Sequence, residues 1–278
     1  MNVTLTGASG FLGRALDARL AAEGYRVARL KLREAQTAPV SDAVIHLSGE
    51  SIAQRWTAAA KRRIHDSRTE GTRRLIKELS KLARPPRVLV SASAIGIYGS
   101  REDEILTEAS APGSGFLAGV CVDWERAAQE AAALGTRVVL LRFGIVLDTR
   151  GGALARMLPA FRLGAGGRLG SGRQWMSWIH LDDALGLVEA ALTDERLTGP
   201  VNATAPNPVT NAEFTHALAH AIHRPAFVPV PALALKLLFG EMAGLLLDSA
   251  RVLPRAALDA GCRFRYSELG SALEQLFP

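Results

Sequence analysis

Short apolar runs and longer segments of mixed polarity alternate along the first half of the chain. Residues 3–6, 26–32, 43–47, 87–91 and 137–141 are brief and mostly apolar, which predicts strands. Between them, residues 11–23, 57–83 and 116–134 carry apolar positions at helical spacing. This alternation predicts an α/β fold, a Rossmann-type doubly wound parallel sheet with helices on both faces. The second half breaks the pattern. Residues 151–172 hold seven glycines and few strand formers, which predicts a mobile loop or a small lobe. Prolines at 206, 208, 225, 229 and 231 punctuate the next stretch, and residues 232–278 look helical, with breaks at Pro254 and Gly261. No internal repeat is evident. The expected organisation is a Rossmann domain over residues 1–225 and a smaller, discontinuous C-terminal substrate lobe. Residues 150–175 and 206–225 contribute to that lobe and 226–278 complete it.

Gly7, Gly10 and Gly13 form G-x-x-G-x-x-G between the first strand and the first helix. One glycine allows the tight turn, one lets the backbone approach a pyrophosphate, and the third lets helix and strand pack closely. The helix N-terminus then offers its free N–H groups and positive dipole end to the phosphates. Gly7, Ser9, Gly10, Phe11, Leu12 and Gly13 are therefore the expected pyrophosphate cradle. The end of the second strand selects the dinucleotide. An acid there binds the ribose 2′-hydroxyl of NAD, whereas a basic residue accommodates the 2′-phosphate of NADP. The strand ends Arg29-Leu30-Lys31-Leu32-Arg33, so Lys31 and Arg33 favour NADP(H) over NAD(H). At the other strand ends, Leu47, Ser48 and Gly49 are expected beside the adenine-side ribose. Ser91 and Ala92 are expected at the nicotinamide ribose, and Arg142, Phe143 and Gly144 at the nicotinamide end.

These residues make the sequence resemble the extended short-chain dehydrogenase/reductase superfamily, which includes nucleotide-sugar epimerases and dehydratases. D-A-V-I-H-L-S-G at 42–49 and V-S-A-S-A-I-G-I-Y-G at 90–99 carry the match together with the glycine loop. Four further stretches narrow it to an atypical subfamily of epimerase family proteins, which has a C-terminal domain of unknown function. They are S-R-T-E-G-T at 67–72, G-S-G-R-Q-W-M-S-W-I-H at 170–180, P-N-P-V-T-N at 206–211 and L-L-D-S-A-R-V-L-P at 246–254. The resemblance implies catalysis by Ser, Tyr and Lys, the last two in Y-x-x-x-K, and puts Arg68 in the cofactor cleft. Ser93 matches the serine. With the next helix aligned on Glu125, Leu117 falls on the tyrosine and Cys121 on the lysine. Leucine carries no proton, and a thiol has no fixed positive charge to depress a neighbour's pKa. Tyr98, on the same loop as Ser93, is a candidate phenol and equally a packed aromatic. Sugar-nucleotide members grip the diphosphate with an arginine two residues after the glutamine that Gln174 matches. Met176 stands there, between Trp175 and Trp178, which argues against that substrate class. Two readings stay open: an NADP(H)-dependent oxidoreductase acting on a small organic substrate, or an NADP(H)-binding sensor or scaffold without catalysis.

Composition narrows this picture only a little. With 278 residues, 48% apolar and 22% charged, the chain is globular and long enough for a sizeable core. Cys121 and Cys262 form neither a metal spacing nor a disulfide framework, so no metal is expected and a reducing cytoplasm is the simplest compartment. The first residues lack the basic and apolar regions of a signal peptide. The most apolar stretch, 232–247, is interrupted by Lys236 and Glu241 and falls short of the ~20 residues of a spanning helix, so no membrane partner is expected. The net charge is +6, and ten lysines and arginines crowd residues 61–87. Only Trp56 lies nearby to stack on a base, so these read as a solvated helix face rather than a nucleic-acid surface. A monomer or homodimer is expected by analogy.

Overall fold

In the computed structural model the chain begins with β1 (Asn2–Thr6), α1 (Phe11–Ala22), β2 (Arg26–Leu30), β3 (Ala43–His46), α2 (Ala58–Leu79) and β4 (Val88–Ala94). A 3-10 turn (Ile95–Tyr98) and β5 (Ile105–Leu106) lead to α3 (Phe116–Gln129), β6 (Arg137–Phe143), β7 (Ile145–Asp148) and α4 (Gly152–Arg162). Then come β8 (Trp175–Met176), β9 (Trp178–His180), α5 (Leu181–Thr193), β10 (Gly199–Ala203), β11 (Val209–Thr210) and α6 (Asn211–Ala221). The chain ends with α7 (Ala232–Phe239), α8 (Gly244–Leu247), β12 (Arg251–Val252), α9 (Arg255–Asp259) and α10 (Leu269–Leu276). The structure describes residues 1–32, 34 and 37–277.

Six strands form one sheet in the order β10-β6-β4-β3-β1-β2, every pair parallel. Alternate strand residues go to opposite faces, as a period of two requires. Val3, Leu5, Ile45, Val90 and Val139 pack with Leu16 and Leu20 of α1 and Leu185 and Val188 of α5. Val44, Leu89 and Leu140 pack with Leu75 and Leu79 of α2 and Ala128 of α3 on the other face. Burial on both faces explains why the strands read as continuous apolar runs. The strand order reverses at β1, which has β2 on one side and β3 on the other. The connections diverge there, so a crevice opens beyond the carboxyl ends of β1 and β3, where ligands of such sheets bind.

A second core holds Leu147, Leu154, Leu158, Phe161, Met176, Trp178, Phe214 and Leu273. The glycine-rich stretch is thus partly helical. Leu154, Leu158 and Phe161, spaced four and three apart, give α4 a buried stripe that outweighs its glycines and the internal Pro159. The C-terminal segment is bound into both cores. Asp183 accepts hydrogen bonds from the amides of Arg265 and Tyr266, at 2.8 and 2.9 Å. His180 caps α5 through Nδ1, which accepts from the Asp182 amide at 3.1 Å, while its Nε2 meets Gln275 Oε1 at 3.0 Å. The N-cap of α5 is therefore the histidine, with Asp182 and Asp183 in the first turn.

Candidate functional site

The loop between β1 and α1 lies at the strand-order reversal. Gly7 has φ +75°, and a Cβ there would lie 2.7 Å from the Leu47 carbonyl carbon. A Cβ on Gly13 would lie 2.1 Å from the Gly7 carbonyl oxygen. These two positions admit no side chain, which brings α1, the loop and the end of β3 together. Gly10 is the N-cap of α1 and has no capping side chain, and the first turn of α1 carries no acid. Its leading N–H groups therefore face the crevice uncapped, the arrangement a pyrophosphate requires. Ser9 is exposed, and its carbonyl accepts from Arg14 at 2.6 Å. The Phe11 ring occupies the space where a Cβ on Gly151 would fall, at 2.4 Å. Leu12 packs against the first core.

The crevice wall is held by a buried histidine. His46 Nδ1 lies 2.7 Å from Thr6 Oγ1, and its Nε2 lies 2.9 Å from Thr72 Oγ1. Burial pulls its pKa down from 6.5 to about 4. Between these values the unfolded chain binds a proton that the native chain refuses, so stability falls as the pH drops. The expected loss is ~1.4 kcal/mol per pH unit across this window, about 3 kcal/mol by pH 4. Urea midpoints measured from pH 7 to pH 4 will show it, and His46→Gln will flatten the slope. An unchanged slope in His46→Gln would refute the assignment.

Arg68 lies against Gly49, with its Cζ 3.2 Å from where a Gly49 Cβ would be. Its Nη1 donates to the carbonyls of Glu50 and Ile64, and the guanidinium sits 5.1 Å from the Trp124 ring centre. Burial lowers its pKa. Leu47 and Ser48 line the same edge, beside Gly7. At the end of β2, Lys31 is exposed and pairs with Glu34 at 2.9 Å. Arg33 lies outside the described residues. Arg74, which the sequence assigns to a solvated helix face, donates to the Leu32 carbonyl at 3.3 Å and so stands at this end too.

The expected catalytic end is a closed polar network. The Ser93 hydroxyl donates to Glu125 Oε1 at 2.6 Å. Arg142 donates to both Glu125 oxygens at 2.8 Å and, from Nη1, to the Tyr98 hydroxyl at 2.8 Å. Tyr98 in turn donates to Asn202 Oδ1 at 2.7 Å. Ser93 is 3% exposed and Tyr98 0%, so neither hydroxyl faces open space. Of the two readings open for Tyr98, its burial favours the packed aromatic. Burial raises the Tyr98 pKa against the opposing effect of Arg142. Burial also opposes charge on Arg142, but the hydrogen bonds and charge of Glu125 outweigh it and the pKa rises. Arg142 is thus held by Glu125 and Tyr98. Ser91, fully buried, donates to the Ala92 carbonyl at 3.3 Å. Gly144 lets β6 turn into β7, since a Cβ would sit 2.5 Å from the Ser177 carbonyl. Ala92 and Phe143 belong to the first core, Phe143 at the end of β6 and Ala92 two residues before the end of β4. Glu125 served the sequence reading only as an alignment anchor, and Asn202 did not enter it. A carboxylate among the buried Cys121, Trp124, Ala127 and Ala128 of α3 was the available signal, because burial demands a partner.

Cys121 lies on α3 beside this network. Burial, with the charge of Glu125, pushes its pKa up to about 12, so it is a neutral thiol at pH 7. Leu117, one turn earlier, has its Cβ 3.6 Å from where a Cβ on Gly96 would be. The α3 N-terminus is apolar around it: Phe116 stacks edge-on with Trp56 at 5.2 Å, under Lys61. Met176 and Trp178 are in the second core, while Trp175 is half-buried beneath Arg251 at 4.2 Å. Among the described residues no cluster of three or more metal-ligating side chains occurs.

A parallel sheet with a glycine cradle at its strand-order reversal defines a dinucleotide-binding protein of the extended short-chain type. The chain belongs to the NAD dependent epimerase/dehydratase family, whose profile matches residues 3–203, and residues 230–276 match a domain of unknown function. It is 42% identical to an epimerase family protein of Mycobacterium tuberculosis over 98% of this chain and 96% of the relative. An Arabidopsis thaliana relative, described as an epimerase family protein SDR39U1 homolog, chloroplastic, is 40% identical over 99% of this chain and 86% of its own. The crystal structure of human epimerase family protein SDR39U1 with NADPH superposes with a TM-score of 0.93 at 34% identity, covering 99% of each chain.

Proposed function

We propose that this protein is an NADP(H)-dependent oxidoreductase acting on a small organic substrate. The observation that carries the proposal is the cradle that Gly7 and Gly13 keep free of side chains below an uncapped helix N-terminus. The NADPH in the 34% identical human structure supports the choice of dinucleotide. The residues present fit that group. The amides of Ser9 to Gly13 hold the pyrophosphate. Lys31 and Arg74 hold the 2′-phosphate, with Arg33 in the same stretch, and Lys31 exchanges Glu34 for it. Leu47, Ser48, Gly49 and Arg68 border the adenine-side ribose, and Ala92 and Phe143 the nicotinamide end. When bound, the dinucleotide supplies hydride chemistry at its nicotinamide.

Around that end the chain's own residues bind and exclude. Trp56, Phe116 and Leu117 form an apolar mouth that suits a weakly charged substrate and keeps water out. Ser93 and Tyr98 act as positioning residues, fixing the strand end against the third turn of α3 through Glu125 and Arg142. The protein works in the cytoplasm as a monomer or homodimer. A sensor or scaffold is the second reading. It is favoured by the neutral thiol at Cys121 and the leucine at 117, where the superfamily's lysine and tyrosine are expected.

NADPH fluorescence titration tests binding. Gly10→Asp places a carboxylate at the phosphate site, and affinity is expected to fall on the order of a hundredfold. Equal quenching by wild type and Gly10→Asp would end the proposal. Lys31→Ala with Arg74→Ala should erase the preference for NADPH over NADH. Oxidation of NADPH by any member of a carbonyl and enone panel establishes the oxidoreductase, and binding without turnover establishes the sensor.

A further inference from the structure

Six of the large exposed apolar side chains belong to two segments of the C-terminal lobe: Leu163, Phe227, Val228, Leu233, Leu237 and Leu238 are 52–87% exposed. Backbone contacts bring the two segments together as a ridge. Val230 donates to the Arg168 carbonyl and accepts from the Gly170 amide, at 2.9 and 2.8 Å, which ties residues 163–170 to residues 227–233. The chain then enters α7, an eight-residue helix in which only Leu235 is buried. Contiguous exposed apolar surface of this kind marks an interaction site.

Beside the ridge runs a groove of ≈ 710 Å³ lined by Arg168, His216, His220, His223, Arg224 and Phe227. The side chains of Arg168 and Arg224 have no carboxylate partner among the described residues. His223 holds its ring at the groove with φ +52°, a left-handed conformation that costs a non-glycine residue energy. Lys236 adds a further exposed cation on α7 itself. The surface is therefore an apolar ridge flanked by unpaired positive charge.

We propose that this ridge and groove dock the protein on an anionic bilayer surface, the leucines and Phe227 entering the headgroup boundary and the arginines meeting lipid phosphates. Charge selects this occupant over a second copy of the chain. A two-fold contact would set this patch against itself, and the groove lining holds no carboxylate to meet Arg168 or Arg224. Anionic lipid supplies the missing counter-charge together with an apolar phase. A membrane partner was not expected because no segment is long enough to span. Among the described residues no helix is long and apolar enough to cross a membrane, but a surface contact needs none.

Co-sedimentation with vesicles tests this at low and high salt. Binding to phosphatidylcholine–phosphatidylglycerol vesicles should exceed binding to phosphatidylcholine alone on the order of tenfold, and should weaken with salt. Leu233→Asp with Leu237→Asp should abolish it on both lipids. Arg168→Ala with Arg224→Ala should remove only the anionic preference. All four positions are exposed, so the variants should melt like wild type, and the arginine pair decides if the leucine pair does not. The proposal falls if wild type ignores anionic vesicles or if the arginine pair keeps its preference. It also falls if sedimentation finds a dimer that Leu233→Asp with Leu237→Asp dissociates.

Discussion

Arg142→Ala will destabilise the protein by about 3–5 kcal/mol, because it strands a buried carboxylate. Glu125 receives both of its guanidinium hydrogen bonds from Arg142, at 2.8 Å each, and the Ser93 hydroxyl cannot replace that charge. The same substitution takes a donor from the Tyr98 hydroxyl. Denaturant unfolding will read the loss. The informative companion is Glu125→Leu with Arg142→Met, which removes both charges and fills similar volume. It should recover most of the stability, since what is costly is the unpaired ion and not the absent pair. A double variant as unstable as the single one would show that the network matters through shape rather than charge.

Gly13→Ala will disable the cofactor cradle. The added Cβ would stand 2.1 Å from the Gly7 carbonyl oxygen and 2.8 Å from Ala8 Cα, both backbone atoms that no rotamer can move aside. Helix α1 must shift, and overpacking of this kind costs about 1–3 kcal/mol. The larger effect falls on binding, because the leading amides of α1 move with the helix. NADPH affinity is expected to drop on the order of a hundredfold, read by fluorescence. Gly24→Ala is the control. Gly24 has φ +83° but no heavy atom within 4 Å of a Cβ, so only backbone strain of about 1 kcal/mol is expected. If the two variants bound NADPH alike, close packing of α1 on the loop would not be what the cradle needs.

How much of this the sequence shows depends on how local each cause is. The sheet was legible because most strands are short apolar runs next to a helix of clear period, and both faces of β1, β3, β4 and β6 are buried. The cradle was legible because Gly7, Gly10 and Gly13 are neighbours in the chain. Arg74 was not. It lies 42 residues from the carbonyl it meets at the end of β2, and only packing of α2 against the sheet brings it there. The hydroxyls of Ser93 and Tyr98 were identified by type, but their directions are set by Glu125 and Asn202, 32 and 104 residues away. The helix α4 was missed because glycine content is counted easily, whereas its three buried side chains find a partner only in a core built from later segments.

The pairing of β12 with β5 sets the order in which the molecule can be finished during synthesis. Arg251 and Val252 lie in register with Ile105 and Leu106, and Val252 closes the small cluster around Ile97, Tyr98 and Cys121. A ribosome making about 5–20 residues per second emits Leu106 roughly 7–30 s before its partner. For that interval the nascent chain holds its sheet strands with an open seam beside the polar network. Such a chain is a natural client for chaperones that shield apolar surface. A stop codon anywhere before residue 251 would leave the seam permanently unsealed, however complete the nucleotide-binding half looks.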